Sequence, residues 1–408
     1  MDAEEPVRKV TLALGIFFDG TGNNALTTQK MVEIFSQQNG NIDSVETEQR
    51  FRRNAQSHFG VSGTQAASYL GYYTNIYQLY TRYAQRDVAD NLLMQQAIYI
   101  EGVGTCVGKP DCVIGMGFGS GEYGTIAKTD EAIARLGPAV SAALASFSGR
   151  WVIERVQFDL FGFSRGAAAA RHFANRLQSE DPAIFHAIGS ATGERPRIQT
   201  RFIGLFDTVA AMATLGNGMD PHSPDCGELN LALRPGVAEH VFQIVAQHEC
   251  RYNFALNSVA PAWPELSLPG VHSDIGGGYL PQMREDLFLT RPRVETVPWS
   301  LPGERSAVYQ QALAQLAALN NAPAMAPILR THAATPETWM DEFAPNDRYG
   351  QMQKRCFAAL TLRQRQVSAD WSQAALRVML DAARAAGVAF DEPTLHVPEV
   401  LAPLIERA

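Results

Sequence analysis

The sequence predicts an α/β fold: a mainly parallel sheet flanked by helices, with an irregular N-terminal insertion and a helical C-terminal region. Two patterns predict it. Short apolar runs alternate with helical stretches between residues 10 and 280, the signature of strands covered on both faces. One of those runs also leads without a linker through Gly162-Phe163-Ser164-Arg165-Gly166 into four alanines, so the chain passes from strand to helix at a serine. With 408 residues, 46 % of them hydrophobic, there is material for one large core. That core is placed at residues 1–280, with the insertion at about 27–95. Residues 281–408 are expected as a cap or an extra layer of the same domain.

The elements follow in order. Residues 10–18 form a β-branched and aromatic run that ends in the turn-rich Asp19-Gly20-Thr21-Gly22-Asn23-Asn24, a first core strand and its loop. Residues 27–68 are rich in Gln, Asn and Ser without sustained periodicity and read as irregular. Residues 69–88 predict a helix with Tyr72, Ile76, Leu79, Tyr80 and Tyr83 on one face. A strand at 97–103 runs into a glycine-dense loop. There, Gly119-Ser120-Gly121-Glu122-Tyr123-Gly124 matches G-x-G-x-x-G, but so many glycines produce the pattern unaided and no strand abuts it. A loop near the active site is favoured over a dinucleotide site. Residues 123–146 predict a helix broken at Gly137-Pro138. Strands are expected at 152–161, 198–206, 237–246 and 265–271. Beyond them, 281–303 reads as a connector, and 304–320, 324–332, 346–362 and 369–386 as helices, the last carrying Trp371, Leu376, Met379 and Leu380.

Composition excludes several classes. A formal net charge of −8 gives no electrostatic case for nucleic acid. Five cysteines, Cys106, Cys112, Cys226, Cys250 and Cys356, are too few for a disulfide scaffold; Cys106 and Cys112 read as loop thiols, with pairing in an oxidising compartment as the alternative. The start Met1-Asp2-Ala3-Glu4-Glu5 is acidic and not a secretory signal, and no stretch of about 18 apolar residues predicts a membrane span. The expected place of synthesis is the cytoplasm.

Ser164 carries the chemistry. A serine at a sharp strand-to-helix turn needs tiny residues two before and two after it, and Gly162 and Gly166 meet that demand. A hydroxyl is a poor nucleophile, so acyl transfer needs a histidine base and an acid to hold it. Asp207 ends the apolar Phe202-Ile203-Gly204-Leu205-Phe206, with a turn or helix cap as its alternative role, and His272 opens a glycine-rich loop expected to be flexible. The order Ser164, Asp207, His272 is that of the α/β-hydrolases. His248 is the rival base, and Asp274 the rival acid, better suited to shaping the His272 loop. Oxyanion donors are expected from the backbone amides of Arg165, Gly20 and Thr21, with Asp19 bracing that turn. No cofactor and no metal site are expected. Asp19, Asn23 and Asp274 make a calcium-like set only if gathered by assumption, and the sequence leaves calcium dependence open.

Four ordered motifs together resemble the first family of type VI secretion lipase effectors: Phe17-Phe18-Asp19-Gly20-Thr21-Gly22-Asn23-Asn24, Gly162-Phe163-Ser164-Arg165-Gly166-Ala167, Phe206-Asp207-Thr208-Val209 and Val271-His272-Ser273-Asp274-Ile275-Gly276-Gly277-Gly278-Tyr279. His248-Glu249-Cys250-Arg251 with Asn253-Phe254 also looks like a segment of that group. The resemblance implies a triad of Ser164, Asp207 and His272 and phospholipase A activity at a membrane surface. It further implies injection into the periplasm of a rival cell, loading on a secretion spike or adaptor, and a cognate immunity protein. A soluble carboxylesterase, or an idle hydrolase fold used for binding, are the competing readings.

Overall fold

Six parallel strands run through the middle of the molecule in the computed structural model. It describes residues 8–401 except 45, 86, 89–92, 107, 113–118, 120, 146–150, 193–195, 211–225, 250, 252–253, 322–328, 331, 342–345, 347, 392–394, 396 and 398. The strands are β1 (Arg8–Phe18), β3 (Leu93–Ile100), β4 (Trp151–Phe163), β5 (Arg197–Phe206), β6 (His240–Ala246) and β7 (Glu265–Leu268). With the two-residue β2 (Asp87–Val88), antiparallel at the edge, they stand in the order β2-β3-β1-β4-β5-β6-β7. This is the expected α/β-hydrolase-like sheet. β3 lies on one side of β1 and β4 on the other, so the winding reverses between β1 and β4, where open parallel sheets place their ligands at the carboxyl ends. Those ends are level: Phe18 pairs with Ile100 and Gly162, Phe163 with Phe206, and Phe206 with Ile244.

Both faces are covered. On one, α5 (Thr125–Leu144), α6 (Arg165–Gln178) and α7 (Pro182–Thr192) bury Leu136, Phe173 and Ile188 against Leu14, Phe158 and Ile203. On the other, α4 (Asn75–Arg82) and α10 (Asp370–Ala385) bury Ile76, Leu79, Leu376 and Met379 against Phe161, Phe206 and Ile244. Helix α5 runs unbroken through Pro138, contrary to the expected break at Gly137-Pro138. Burial of Ile133, Leu136 and Val140 along the same stripe holds both halves to the sheet, and a proline removes only one ladder bond.

The insertion is helical rather than irregular. Helix α1 (Ala25–Gln37) is capped by the Asn24 side chain, which accepts from Thr27 N at 3.2 Å, and it packs with α2 (Thr47–Phe59) and α3 (Ala67–Leu70) around Phe35, Phe51 and Tyr69. A few apolar side chains per helix suffice because the helices pack on one another and on Leu280. The helix expected over 69–88 is split: α3 ends before Gly71, and α4 restarts at a Thr74 cap and ends at Arg82.

The C-terminal region is not uniformly helical. Strands β8 (Gln282–Phe288), β9 (Arg293–Pro298), β10 (Thr335–Asp341) and β11 (Gln353–Ser368) form a second, antiparallel sheet backed by α9 (Ala307–Asn320). The expected connector at 281–303 supplies β8 and β9, and the expected helix at 346–362 is largely β11. Cys356, Ala358, Leu360 and Leu362 alternate into the core under α9, a period of two that intervening small and apolar residues obscure. Most of the helix expected at 324–332 lies outside the described residues.

Candidate active site

Ser164 caps α6 with φ 59° and ψ −126°, a conformation non-glycine residues rarely adopt and one that costs on the order of 1–3 kcal/mol. The surroundings enforce it. A Cβ on Gly162 would lie 2.5 Å from Ala167 Cα, and one on Gly166 would lie 2.3 Å from the carbonyl oxygens of Phe18 and Asp19. The elbow is therefore clamped between its own helix and the end of β1. Ser164 N donates to Phe206 O at 3.1 Å and its carbonyl accepts from Val209 N at 3.3 Å, which ties the elbow to the residues flanking Asp207.

Asp207 also has a positive φ, 42°, and its Oδ1 accepts from Ala246 N at 3.0 Å. Its Oδ2 lies 2.5 Å from His272 Nδ1. An ionised carboxylate only accepts, so Nδ1 carries the proton and Nε2 offers the lone pair. The His272 ring is held by Phe163, tilted at 4.6 Å, and by Phe254, edge-on at 4.7 Å. His272 opens α8 (His272–Gly276), so the segment expected to be a flexible loop is a short, buried helix. Its Nε2 is buried and makes no hydrogen bond among the described residues, to the Ser164 hydroxyl or to any other group. Such contacts commonly close only with substrate in place.

The remaining sequence candidates divide into supports. Asp19 is buried and accepts from Gly20 N and Thr74 Oγ1, both at 2.7 Å, and from Tyr99 Oη at 2.5 Å; burial pushes its carboxyl up to about 6 against the pull of those bonds. The Gly20 amide is thus spent on Asp19 and does not face an oxyanion. The Thr21 amide has no acceptor among the described residues, and Thr21 Oγ1 accepts from Arg165 Nε at 2.7 Å, joining the turn to the elbow. Burial lowers the Arg165 guanidinium to about 10. Asp274 accepts from Val271 N at 2.8 Å and from Arg365, and shapes the start of α8; burial raises its carboxyl. His248 is no rival base: its Nδ1 accepts from Gly270 N at 3.1 Å, fastening the chain ahead of His272.

Glu249 and Arg251, which the sequence offers only as part of a family-like segment, belong to the site. Glu249 Oε2 accepts from His272 N at 2.9 Å. Burial would raise the Glu249 carboxyl, but Arg251 beside it outweighs that and holds it at about 2. The clue in the sequence was the His248-Glu249-Cys250-Arg251 segment, whose partner lies 23 residues away. Beside Asp207 a cavity of about 1080 Å³ opens between the core and the second sheet, lined among others by Arg251, Phe254, Leu289, Val294 and Val308. A second, of about 550 Å³, shares Arg251 and Phe254 and extends to Phe288. Ser164 and His272, 5 % and 3 % exposed, line neither, so the 1080 Å³ cavity meets the site at its acid rather than at the serine. Among the described residues no group of three His, Cys, Asp or Glu side chains is placed to hold a metal ion. The glycines of the G-x-G-x-x-G match form the turn into α5, with Thr125 N donating to Gly119 O at 2.9 Å, and β3 ends well before them. Cys106 and Cys112 are not joined in a disulfide.

A strained serine elbow at the switch point of a mainly parallel sheet, beside a hydrogen-bonded aspartate and histidine, defines a hydrolase of the α/β-hydrolase type. Residues 177–298 match the family model of the type VI secretion phospholipase effector Tle1-like catalytic domain, a stretch that includes Asp207 and His272 and begins after Ser164. A solved structure of the Tle1 effector bound to the VgrG spike from the type VI secretion system is similar over 99 % of this chain and 79 % of that one, at 36 % identity and a TM-score of 0.67. An uncharacterised protein from Pseudomonas aeruginosa is similar over 67 % of this chain and 42 % of its own, at 19 % identity and a TM-score of 0.39. No curated protein sequence matches. The chain belongs to the Tle1-like phospholipase effectors of type VI secretion.

Proposed function

We propose that the chain is a serine phospholipase A that acts on bacterial glycerophospholipids. The observation that carries this reading is the Ser164 elbow, held in a positive-φ conformation next to the Asp207–His272 pair. In the proposed reaction the Ser164 hydroxyl proton passes to His272 Nε2 as Oγ bonds to the ester carbonyl carbon. The carbonyl oxygen gains the charge and is met by the amides of Arg165 and Thr21. The bond to the glycerol oxygen then breaks, that oxygen takes the proton from His272, and the acyl group remains on Ser164. Water repeats the sequence, freeing the fatty acid and restoring the serine. Asp207 keeps the imidazole in the reactive tautomer throughout.

Membership of the effector family, with a relative held on the VgrG spike, supports delivery of this chain on such a spike into the periplasm of a rival cell, and blockade by a cognate immunity protein in the producer. No described helix is long and apolar enough to cross a membrane. The test is fatty-acid release from phosphatidylethanolamine and phosphatidylglycerol carrying differently labelled acyl chains, with wild type beside Ser164→Ala. Release by wild type and its loss in the variant, with an unchanged melting temperature, is the expected result. Full activity in Ser164→Ala would overturn the mechanism.

A further inference from the structure

Arg251 is a cation held along one edge and open along the other. Its Nε and Nη2 donate to the two oxygens of Glu249 at 2.8 and 2.7 Å, and its backbone N–H donates to the same carboxylate at 2.8 Å. Its guanidinium carbon sits 3.7 Å above the centroid of the Phe254 ring. These contacts fix the plane and direction of the group. Nη1 has no hydrogen-bond partner among the described residues, the side chain keeps 18 % exposure, and it lines both cavities. The larger cavity also touches Asp207 and carries an apolar wall of Leu256, Leu289 and Val308. Arg291 and Arg293 line it too, but both side chains are exposed, Arg291 on the turn between β8 and β9 and Arg293 at the start of β9, where its Nη1 donates to Gln311 Oε1 at 2.8 Å.

A pre-oriented guanidinium with a free N–H edge, facing an amphipathic cavity next to the catalytic acid, suits an anionic oxygen attached to an apolar molecule. In a glycerophospholipid that oxygen belongs to the phosphodiester, a few bonds from the ester to be cleaved. Resting on the phospholipase reading above, we propose that Arg251 Nη1 receives the phosphodiester of the substrate and so selects phospholipids over neutral acylglycerols. Glu249 serves two ends: it aims Arg251 and, through the His272 amide, keeps that receptor in register with the base.

The experiment compares kcat/KM for phosphatidylglycerol and for diacylglycerol with the same acyl chains in mixed micelles, using the full chain as wild type, Arg251→Gln, Arg251→Lys and Ser164→Ala. The two-substrate ratio separates recognition from damage, because a displaced His272 slows both substrates alike. Arg251→Gln is expected to lower the phospholipid-to-diacylglycerol ratio about tenfold or more, and Arg251→Lys to lower it less, since charge survives without the fork. If Arg251→Gln does not fold, Arg251→Lys reads the same ratio. Equal losses on both substrates would overturn the receptor. So would an unchanged ratio with inorganic phosphate inhibiting wild type but not the variant, which marks a site for free anions. Activity retained on both lipids in Ser164→Ala would sink the serine mechanism instead and leave the ratio to judge Arg251.

Discussion

At Asp19 three hydrogen-bond donors surround a carboxylate and still fail to offset the loss of water: its pKa in the fold stands at about 6 against an ordinary 3.8. A raised carboxyl pKa means that the folded state prefers the protonated form. The stability this confers is complete below about pH 4 and is lost as the pH climbs through 6, an effect of roughly 3 kcal/mol for a shift of about two units. Melting temperature against pH should therefore carry a downward component between pH 4 and 6.5 that Asp19→Asn removes; the same slope in both proteins would refute it. Residue by residue, the sequence revealed what chemistry demands at fixed spacing. Ser164 was legible because the elbow needs Gly162 and Gly166, and Asp207 because a carboxylate at the end of so apolar a run is costly without a purpose. Glu249 and Arg251 were legible only as part of a family-like segment, since nothing nearby in the chain shows that the carboxylate reaches the His272 amide. The direction of the Gly20 amide depends on Asp19 curling back on its own turn, a choice of side-chain rotamer that spacing does not encode.

Among the elements, α5 is instructive because it contains its own flaw. Pro138 leaves the carbonyl of Ala134 without its ladder donor, and tertiary packing carries the helix across. Pro138→Ala restores that N–H and should stabilise the protein by about 1–3 kcal/mol, less what the freed unfolded chain regains. Chemical denaturation would measure it, and a loss of stability would show that the proline is better suited to its site than the helix geometry suggests. Strands β1, β4 and β5 were readable because each closes on an apolar run, Leu12–Phe18, Leu160–Phe163 and Phe202–Phe206, that ends in a turn. Strand β11 was not, because Ala358, Ala359, Leu360 and Leu362 satisfy a helical stripe as well as an alternating one, and only the partners in β8, β9 and β10 decide between them. The insertion was misread for the opposite reason: its polar helices show too few apolar residues for a stripe, and they stand because they lean on Leu280 and one another.

Over the whole molecule, the second sheet and α10 join the distal third of the chain to the core that carries the serine. Leu376 is fully buried among Phe161, Phe206 and Ile244, residues that come long before it in sequence. Leu376→Ala should cost about 2–5 kcal/mol and lower the melting temperature, while kcat at a temperature where the variant is folded stays near that of wild type. A collapse of kcat in the folded variant would mean that α10 shapes the site rather than only covering the sheet. The same covering has a consequence in time. Some 120 residues separate the end of β6 from the start of α10, so at ribosomal speed the sheet face bearing Phe161, Phe206 and Ile244 emerges on the order of ten seconds before the part of its cover that α10 supplies. Through that interval the producing cell holds an apolar surface that only a chaperone or the unfinished chain can shield, and completion of the enzyme waits on one of its last helices.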